Sequence, residues 1–330
     1  MAKHVVLGGI CFSGQDFVDL LLDDPSNEVI SISRSANKPD FMLRYSQRKD
    51  LSRFRFYEFD MNRNPEALLA FLDAERPEYV TNFVALSEVG LSWTQPEHWM
   101  ETNAVANARL TNHLARQKYV KRYLHISTPE AYGNCEGLVT ETTPDNPSTP
   151  YAVSKAAADM LNQAYFAHFG LPVVTVRATN VYGAHQQLFK IICRAAIYIK
   201  LGRKIRLDGG GVSVKSFIHI RDVSRGELAI LERGKLGERY HLSPDKGIAV
   251  RDVVRTVCEQ LGYKFEDSVE IAPERLGQDA ACVIDSTKAR TQLGWMPQIS
   301  FEDGVTEVIR WINDNWAGIS KHPLEYQHRA

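Results

Sequence analysis

The sequence predicts an α/β fold built on a parallel sheet, and three observations support this prediction. Short runs rich in β-branched and aromatic residues alternate with segments of helical periodicity over roughly the first half of the chain. These runs are continuously apolar, as expected for strands that are covered on both faces. The first run, "KHVVLGG", ends in glycines that lead directly into a helical segment. Together these features indicate a sheet with helices packed on both of its faces.

The elements of this sheet can be placed in order. Strands are predicted at "KHVVLGG", "EVISISR", "FRFYEFD", "YVTNFVA", "RYLHIS" and "PVVTVRAT". Helices are predicted at "FSGQDFVDLLLDD", "PEALLAFLDAERP", "METNAVANARLTNHLARQ" and "YAVSKAAADMLNQAYFAHFG", the last of which ends at a glycine. This order of elements is typical of a Rossmann-type, doubly wound parallel sheet.

The alternation ends after about residue 180, which indicates a second, smaller domain. "GRKIRLDGGGVSVKSFIHIRD" predicts two short strands around a glycine loop, and "AVRDVVRTVCEQLG" and "FEDGVTEVIRWINDNW" predict helices. We expect residues 1–178, with roughly 217–245, to form a dinucleotide-binding domain. Residues 179–216 and 246–330 are then a mixed α/β C-terminal substrate domain over the carboxyl ends of the strands.

Composition excludes several classes of protein. The chain has 330 residues and a formal net charge of −1, which gives no global field for nucleic acid or an anionic membrane. The five cysteines are scattered without a CxxC pair, and the histidines show no metal-ligand spacing, so no metal site is expected. No segment has the length needed to span a bilayer, and the start "MAKHVVLGGI" does not read as a signal peptide. A cytoplasmic protein is therefore predicted.

The glycine loop "GGICFSG" is a candidate cofactor site. It joins the first strand to the first helix, where backbone N–H groups and the helix dipole favour a pyrophosphate. Cysteine stands where a third glycine is expected, so its Cβ should crowd the pyrophosphate slightly or require an ordinary negative φ. A tight turn without a ligand is the structural alternative. The predicted contacts are Gly8, Gly9, Cys11, Phe12, Ser13 and Gly14.

The end of the second strand distinguishes NADP from NAD. NAD sites usually place a carboxylate there, but this chain has Ser33 and Arg34, and an arginine can pair with the 2′-phosphate of NADP. NADP is therefore predicted, with NAD as the alternative, and a solvent-facing Arg34 is the simpler explanation. Asp60 and Met61 are expected beside the adenine. Further predicted cofactor contacts are Val84, Ala85, Ala178, Tyr151 and Lys155.

Tyr151 and Lys155 are candidate catalytic residues. Their spacing of four places both side chains on one face of a helix, where an ammonium favours the phenolate and lowers the tyrosine pKa. The phenolate could then take a hydroxyl proton as a hydride leaves carbon. Thr128, at the end of the fifth strand, can hydrogen-bond the same substrate oxygen.

Glu130 lies just past the fifth strand in "STPEAYG", behind a proline that helps to end the strand. Most glutamates in loops are solvated surface charges. Its position two residues from Thr128, together with the Tyr151 and Lys155 pair, instead favours a positioned acid or base.

These motifs resemble those of a known family. "GGICFSG", "STPEAYG", "PYAVSK", "RATNVYG" and "LGWMP", in this order, are similar to the extended short-chain dehydrogenase/reductase family, and within it to the nucleotide-sugar 4,6-dehydratases. The resemblance implies a recycled NAD(P), a nucleotide-diphosphate sugar bound by the C-terminal domain, and dehydration of the sugar to a 4-keto-6-deoxy product. It also implies that Tyr151 takes the 4-OH proton and that Glu130 removes the C5 proton.

One position departs from the dTDP-glucose members of that family. They carry an aspartate that protonates the leaving hydroxyl where this chain has Pro129. Glu130 would then act first as base and afterwards as acid, or a water would help. The Thr-x-Glu form without aspartate resembles the GDP-mannose dehydratases, although the base and the sugar stay open.

The resemblance also supplies candidate contacts for the sugar nucleotide. They are Asn180, Lys190, Lys215 and Arg275, with Arg206 as a weaker candidate and Glu88 facing the sugar where related enzymes often have histidine. Lys215 replaces a common arginine and loses its bidentate fork. For each residue the simpler explanation is a solvated surface charge. The helices around 101–117 and 152–168 are expected to pair across a two-fold axis as the four-helix core of a homodimer.

Three alternatives remain open at this point. A nucleotide-sugar 4-epimerase or a uronate decarboxylase could use the same scaffold, and an epimerase would have no need of Glu130 as a C5 base. A non-catalytic NADP-binding regulator belongs to another class. The intact Thr128, Tyr151 and Lys155 set argues against it, because a sensor does not require a phenolate.

Overall fold

The computed structural model describes residues 1–134, 137–273 and 283–328. Its centre is a sheet of seven parallel strands in the order β12-β7-β5-β4-β1-β2-β3. The strands are β1 (Ala2–Leu7), β2 (Asn27–Ser33), β3 (Phe54–Glu58), β4 (Tyr79–Asn82), β5 (Arg122–Ile126), β6 (Leu138–Val139), β7 (Val173–Ala178), β8 (Asn180–Tyr182), β9 (Ile205–Asp208), β10 (Val214–Lys215), β11 (Phe217–His219), β12 (Arg239–Leu242), β13 (Ile248–Ala249), β14 (Val269–Ala272) and β15 (Val283–Ile284).

The strand order confirms the predicted doubly wound sheet. The chain builds outward from β1 in one direction through β2 and β3, and then returns to build β4, β5 and β7 in the other. The direction of winding therefore reverses between β1 and β4. In open parallel sheets, ligands bind outside the carboxyl ends of the strands at such a switch point.

Helices cover both faces of the sheet. They are α1 (Phe12–Leu21), α2 (Pro65–Glu75), α3 (Pro96–Trp99), α4 (Ala106–Leu114), α5 (Pro150–Phe169), α6 (Ile191–Lys200), α7 (Ile220–Arg233), α8 (Val250–Leu261), α9 (Phe265–Ser268), α10 (Thr287–Leu293), α11 (Phe301–Asp314) and α12 (Trp316–Ile319). A π-helical segment, Met100–Val105, makes α3 and α4 one continuous run. Among the helices of the described residues, none combines the length and the apolar character needed to cross a membrane.

Two cores lie on opposite faces of the sheet because successive side chains of a strand point to opposite sides. Val6 of β1 packs with α1 and α7, whereas Val5 and Leu7 pack with α2 and α4. A third core is formed by α6, α8 and α11, away from the sheet. We call the seven-stranded sheet with the helices that cover it the first unit, and this third core with its helices the second unit; the predicted domain bounds stay a prediction.

Some elements were not predicted. The edge strand β12 and the helix α7 were missed, and both complete the first unit. Trp295, which follows α10, also lies in the core of the first unit although it falls in the predicted substrate domain. Its indole Nε1 donates a 2.8 Å hydrogen bond to the carbonyl of Asp222 at the start of α7.

A single tight turn follows β5 and carries Glu130. The hydroxyl of Thr128 accepts a 3.4 Å hydrogen bond from the Glu130 N–H, and Pro129 begins a 3₁₀ turn that spans Pro129–Tyr132. The turn ends at Gly133, whose φ of +68° is in the left-handed region. A Cβ at this position would lie 1.9 Å from the carbonyl oxygen of Asn146.

Gly133→Ala should therefore be strongly destabilising. We expect it to lower the free energy of unfolding by about 3 kcal/mol, since strained backbone and displacement of the Asn146 carbonyl act together. Gly170→Ala is the matched control, because its φ is +69° but its Cβ would meet nothing within 4 Å. It should lose only about 1 kcal/mol in urea denaturation. Equal losses for the two variants would contradict the close approach.

Candidate active site

A cleft of about 630 Å³ opens at the carboxyl ends of the strands, between the two units. It collects the candidate catalytic residues and most of the candidate substrate contacts in one place. The residues from the sequence analysis that line it are Cys11, Phe12, Ser13, Ala85, Thr128, Glu130, Tyr151, Lys155, Ala178, Asn180, Lys190, Arg206 and Lys215.

A second cleft of about 250 Å³ adjoins the first and shares Cys11, Phe83 and Ala85 with it. Its candidate residues are Gly8, Cys11, Ser33, Arg34, Asp60, Met61, Val84 and Ala85. Gly9 and Gly14, the other two glycines of the loop, line neither cleft. The two connected clefts have the arrangement that a dinucleotide beside a second ligand requires.

The glycine loop is closed by an interaction that the sequence did not suggest. Cys11 has an ordinary φ of −69°, and its sulfur accepts a 3.3 Å hydrogen bond from the N–H of Gly14, so the thiol caps α1. Gly14 is required for a steric reason, because a Cβ would lie 2.4 Å from the carbonyl oxygen of Gly8. Burial raises the pKa of the Cys11 thiol, so it stays protonated at neutral pH.

The end of β2 contains no carboxylate in the second cleft. Ser33 is buried and its hydroxyl accepts a 3.2 Å hydrogen bond from the N–H of Ile10, while Arg34 is exposed at the rim. Lys38, which the sequence analysis did not select, lines the same wall, and burial lowers its pKa. This end of the cleft is therefore cationic.

The wall beside the expected adenine differs from the prediction in detail. The carboxylate of Asp60 accepts a 2.8 Å hydrogen bond from the N–H of Asn62 and holds its own turn. The side chain of Asn62 donates to Thr102 at 2.9 Å, whereas its Oδ1 is buried without a hydrogen-bond partner. Asn62 is thus the polar side chain in this wall with an unused acceptor, and no motif in the sequence indicated it.

Lys155 ties helix α5 to the end of β5. The residue is 3% exposed, and its ammonium donates a 2.6 Å hydrogen bond to the carbonyl of Ile126. Burial lowers the pKa of Lys155 to about 8, opposed by the charge of Asp159. Thr149 caps the start of α5 by accepting a 3.1 Å hydrogen bond from the Ala152 N–H, which fixes the first turn of the helix.

Tyr151 does not have the lowered pKa that the sequence analysis expected. Burial raises its pKa, and the negative charge of Glu130 raises it further, while a hydrogen bond with Thr128 acts in the opposite direction. The ammonium of Lys155 contacts the Ile126 carbonyl. The protein alone therefore holds a neutral phenol, and added positive charge in the cleft is needed to favour the phenolate.

Glu130 and Tyr151 face the same cleft, and their electrostatic coupling shows that the two groups are close. The other carboxylate that lines this cleft within the described residues is Asp208, which pairs with Arg206 at 3.1 Å. Glu130 is thus the carboxylate placed with the tyrosine. Trp99 and Leu86 pack with Tyr151 in a small apolar cluster.

The substrate end contains an ion pair that spans the cleft edge. Glu88 accepts a 2.6 Å hydrogen bond from Lys190, although the sequence analysis had treated the two as separate contacts. The side chain of Asn180 donates weakly to the Ser216 carbonyl at 3.5 Å, and Lys215 lines the wall. Arg275 lies outside the described residues.

Sequence reasoning also missed two features of this end. Arg194 lies one turn after Lys190, lines the cleft and has no ion-pair partner among the residues that the structure describes. Its spacing of four from Lys190 would have indicated it. The C-terminal segment returns to the same region, where Tyr326 packs edge-on against Phe189 and His328 stacks on Trp99.

Comparisons with known proteins agree with this geometry. The family model described as GDP-mannose 4,6 dehydratase matches residues 5–308. A dTDP-glucose 4,6-dehydratase of Mycolicibacterium smegmatis is 30% identical over 341 residues, covering 99% of each chain. One from Streptomyces niveus is 30% identical over 322 residues, covering 96% of this chain and 94% of the relative.

Solved structures of similar proteins show the same architecture. A dTDP-glucose 4,6-dehydratase of Streptomyces venezuelae has been solved with NAD bound. It matches this chain with a TM-score of 0.85 at 30% identity, and the match covers 96% of this chain and 98% of the relative. A UDP-glucose 4-epimerase of Thermotoga maritima, with UDP-glucose, also has a TM-score of 0.85 at 25% identity, covering 95% and 99%. The match of the family model over most of the sequence shows that this chain belongs to the GDP-mannose 4,6-dehydratase family.

Proposed function

We propose that the protein is a nucleotide-diphosphate-hexose 4,6-dehydratase that uses a bound nicotinamide dinucleotide and forms an NDP-4-keto-6-deoxy sugar. The observation that carries this proposal is the placement of Glu130 in one cleft with Tyr151, on a turn capped by Thr128. A C5 base beside a C4 oxidation site is what elimination of the C6 hydroxyl requires. The dehydratase names of the relatives support the same reaction.

The residues divide the proposed reaction between them. A nicotinamide dinucleotide held along the second cleft would supply a positive charge and the acceptor for the hydride of C4, which is later delivered to C6. Tyr151 takes the 4-OH proton, and Thr128 orients the same oxygen by hydrogen bonding. Glu130 then removes the C5 proton, whose acidity the new 4-ketone has raised, as the C6 hydroxyl leaves.

Pro129 has no proton to donate to the leaving hydroxyl, so we propose that Glu130 also serves as the acid. Among the described residues that line the cleft, the carboxyl groups are Glu130 and Asp208; Asp208 pairs with Arg206, whereas Glu130 lies with Tyr151. Glu130 passes the proton that it takes from C5 to the leaving hydroxyl as water forms. When hydride adds to C6, the resulting enolate takes a proton from water at C5, and Tyr151 releases the 4-OH proton to water, so that the protons balance. Glu130 thus acts as base and then as acid in our proposal.

We also propose which unit binds which ligand. Residues 1–178, with 217–245, hold the dinucleotide, and residues 179–216 and 246–330 hold the nucleotide sugar. The cations that line the substrate side of the cleft support this assignment, because two phosphates need charge-assisted donors. These cations are Lys190, Arg194, Arg206 and Lys215.

A 4-epimerase is the second candidate, favoured by the similarity to the Thermotoga maritima enzyme. A uronate decarboxylase would release carbon dioxide, and a non-catalytic regulator would bind the dinucleotide without turnover. Incubation with a panel of CDP-, dTDP-, GDP- and UDP-sugars that includes uronates, without added reductant, distinguishes these functions by product mass. The dehydratase gives a product lighter by one water without net cofactor consumption. An isomer of unchanged mass would contradict it.

Glu130→Gln tests the proposed C5 base. We expect product formation to fall at least about 100-fold, since general-base catalysis contributes on that order. Hydride transfer from C4 should continue, so reduced nicotinamide should accumulate in absorbance measurements. Glu97→Gln, an exposed glutamate outside both clefts, should behave as the unaltered protein. Retained dehydration in Glu130→Gln would assign the C5 base to another group.

The cationic end of β2 leads us to propose NADP as the preferred cofactor, with NAD as the alternative that the solved relatives contain. Arg34→Ala should weaken NADP binding by about tenfold, because a charge-assisted contact with the 2′-phosphate is lost. NAD binding should be nearly unchanged, as should both affinities in Arg116→Ala, an exposed arginine outside both clefts. Titration calorimetry with NADP and with NAD measures both affinities in the unaltered protein and in each variant. Equal weakening of both, or preference for NAD in the unaltered protein, would contradict NADP specificity.

We propose a homodimer that forms through the helices around 101–117 and 152–168, in which exposed apolar side chains on these helices are covered by a second copy. Val105, Val153 and Met160 are exposed in the single chain, and the last two lie seven residues apart on one face of α5. Met160→Glu should therefore give a monomer in sedimentation velocity, whereas Ile271→Glu on the second unit should not. A monomeric unaltered protein would overturn the proposal. The cytoplasmic location stays a prediction.

A further inference from the structure

A cluster of charged side chains lies beneath the candidate site and takes no part in the reaction described above. It brings together helix α5, strands β5, β7 and β12, and the loop before α5. We call it the buried charge cluster, and its members are His125, Asp145, Asp159, Arg177 and Arg239. Three of them are at most 4% exposed: His125, Asp159 and Arg177. Charges this deeply buried require close partners.

Asp159 is the centre of this cluster. Its Oδ2 accepts hydrogen bonds from the Ser127 hydroxyl at 2.5 Å and from Arg177 at 2.6 Å, and its Oδ1 lies 3.2 Å from Nε2 of His125. Burial opposes ionisation, but the His125 hydrogen bond and the Arg177 charge outweigh it and hold the Asp159 pKa below its usual range. Asp159 is therefore an anion at neutral pH.

On the far side of the cluster, a second carboxylate balances the positive charge of Arg177. Asp145 accepts from Arg177 at 2.7 Å and pairs with Arg239 at 3.2 Å. Arg177 also lies over the ring of Tyr132, with 4.2 Å between the guanidinium carbon and the ring centroid. Arg177 is thus held by two carboxylates and the ring of Tyr132.

Asp159 and Lys155 are one helical turn apart on α5, and both bind the end of β5. Lys155 donates to the carbonyl of Ile126, and Asp159 accepts from the hydroxyl of the next residue, Ser127. The helix is therefore attached to the strand end at two successive residues. The charged and titratable groups that surround the Lys155 ammonium are Asp159 and Tyr151 on α5, His125 on β5 and Arg177 on β7.

The charges around Lys155 move its pKa in different directions. Burial lowers the pKa of Lys155 to about 8, Asp159 raises it and Arg177 lowers it. Burial also lowers the pKa of His125, which stays neutral at neutral pH. Asp159 is thus the anion in this group that favours the charged form of Lys155.

We propose that Asp159 is a positioning residue for the reaction, which keeps Lys155 charged and fixed against the end of β5 beneath Tyr151. This inference rests on the proposed function for its catalytic meaning, but its electrostatic content can be measured without turnover. Asp159 touches neither cleft, so it acts through Lys155 and Ser127.

Asp159→Asn tests the proposal, because it keeps the side-chain shape and removes the charge. The pKa of Lys155 can be followed by NMR of the full protein with isotope-labelled lysine, assigned with Lys155→Arg. Removing the anion should lower this pKa by about one unit or more. If the first variant does not fold, Arg177→Gln replaces it, and the pKa should move in the opposite direction. Asp145→Asn is the control, since it contacts Arg177 but not Lys155.

The pH dependence of kcat on the active NDP-hexose is the second measurement. Asp159 raises the pKa of Lys155 relative to a variant that lacks this anion. The ammonium is present below its pKa and is lost above it, so activity that needs the ammonium falls as the pH rises through that pKa. In Asp159→Asn the alkaline limb should therefore move about one pH unit toward acid, with a larger loss at high pH than at neutral pH. A merely structural role would lower activity equally across the profile.

The outcomes separate this inference from the proposed function. An unchanged Lys155 pKa in Asp159→Asn overturns it, as does a lowered pKa with an unmoved alkaline limb. If the unaltered protein turns over no NDP-hexose, the dehydratase proposal fails while the NMR measurement still decides whether Asp159 controls the charge of Lys155. A shift in Asp145→Asn as large as that in Asp159→Asn would contradict the assignment to Asp159.

Discussion

The hydrogen bond from the Lys155 ammonium to the carbonyl of Ile126 is the interaction on which the rest of the site depends. It joins the first turns of α5 to the end of β5, and these two elements carry Tyr151 on one side and Thr128 and Glu130 on the other. A buried ammonium is stable only with close partners, so this contact also requires the anion of Asp159 and the balancing charges behind it. The position of the phenol above the strand end is therefore set by charges below it.

The cleft is organised by charge along its length. In the cleft proposed for the dinucleotide, Arg34 and Lys38 lie on the wall after β2, and the glycine loop leads into the first turn of α1, which Cys11 caps. In the middle, Glu130 and a neutral Tyr151 oppose each other, so the protein alone resists forming a phenolate. A cationic ligand beside Tyr151 would oppose this preference, because a nearby positive charge favours the phenolate.

Much of this arrangement could be predicted from the sequence because it depends on local patterns. The strand and helix order, the glycine loop and the i, i+4 spacing of Tyr151 and Lys155 fixed the fold and brought the catalytic candidates into one cleft. The rest depends on distant pairings. Glu88 and Lys190 are 102 positions apart, and neither residue carries a local pattern that identifies its partner. The raised pKa of Tyr151 likewise follows from burial and from Glu130, which the spacing to Lys155 alone did not reveal.

The central claim is that hydride removed from C4 returns to C6, with Glu130 acting between the two transfers. Turnover of the active NDP-hexose carrying deuterium at C4, followed by NMR of the product, tests it most directly. The account predicts deuterium at C6 of a 4-keto-6-deoxy sugar and none in released cofactor. Deuterium returned to C4 of an isomeric sugar would contradict it and would identify an epimerase.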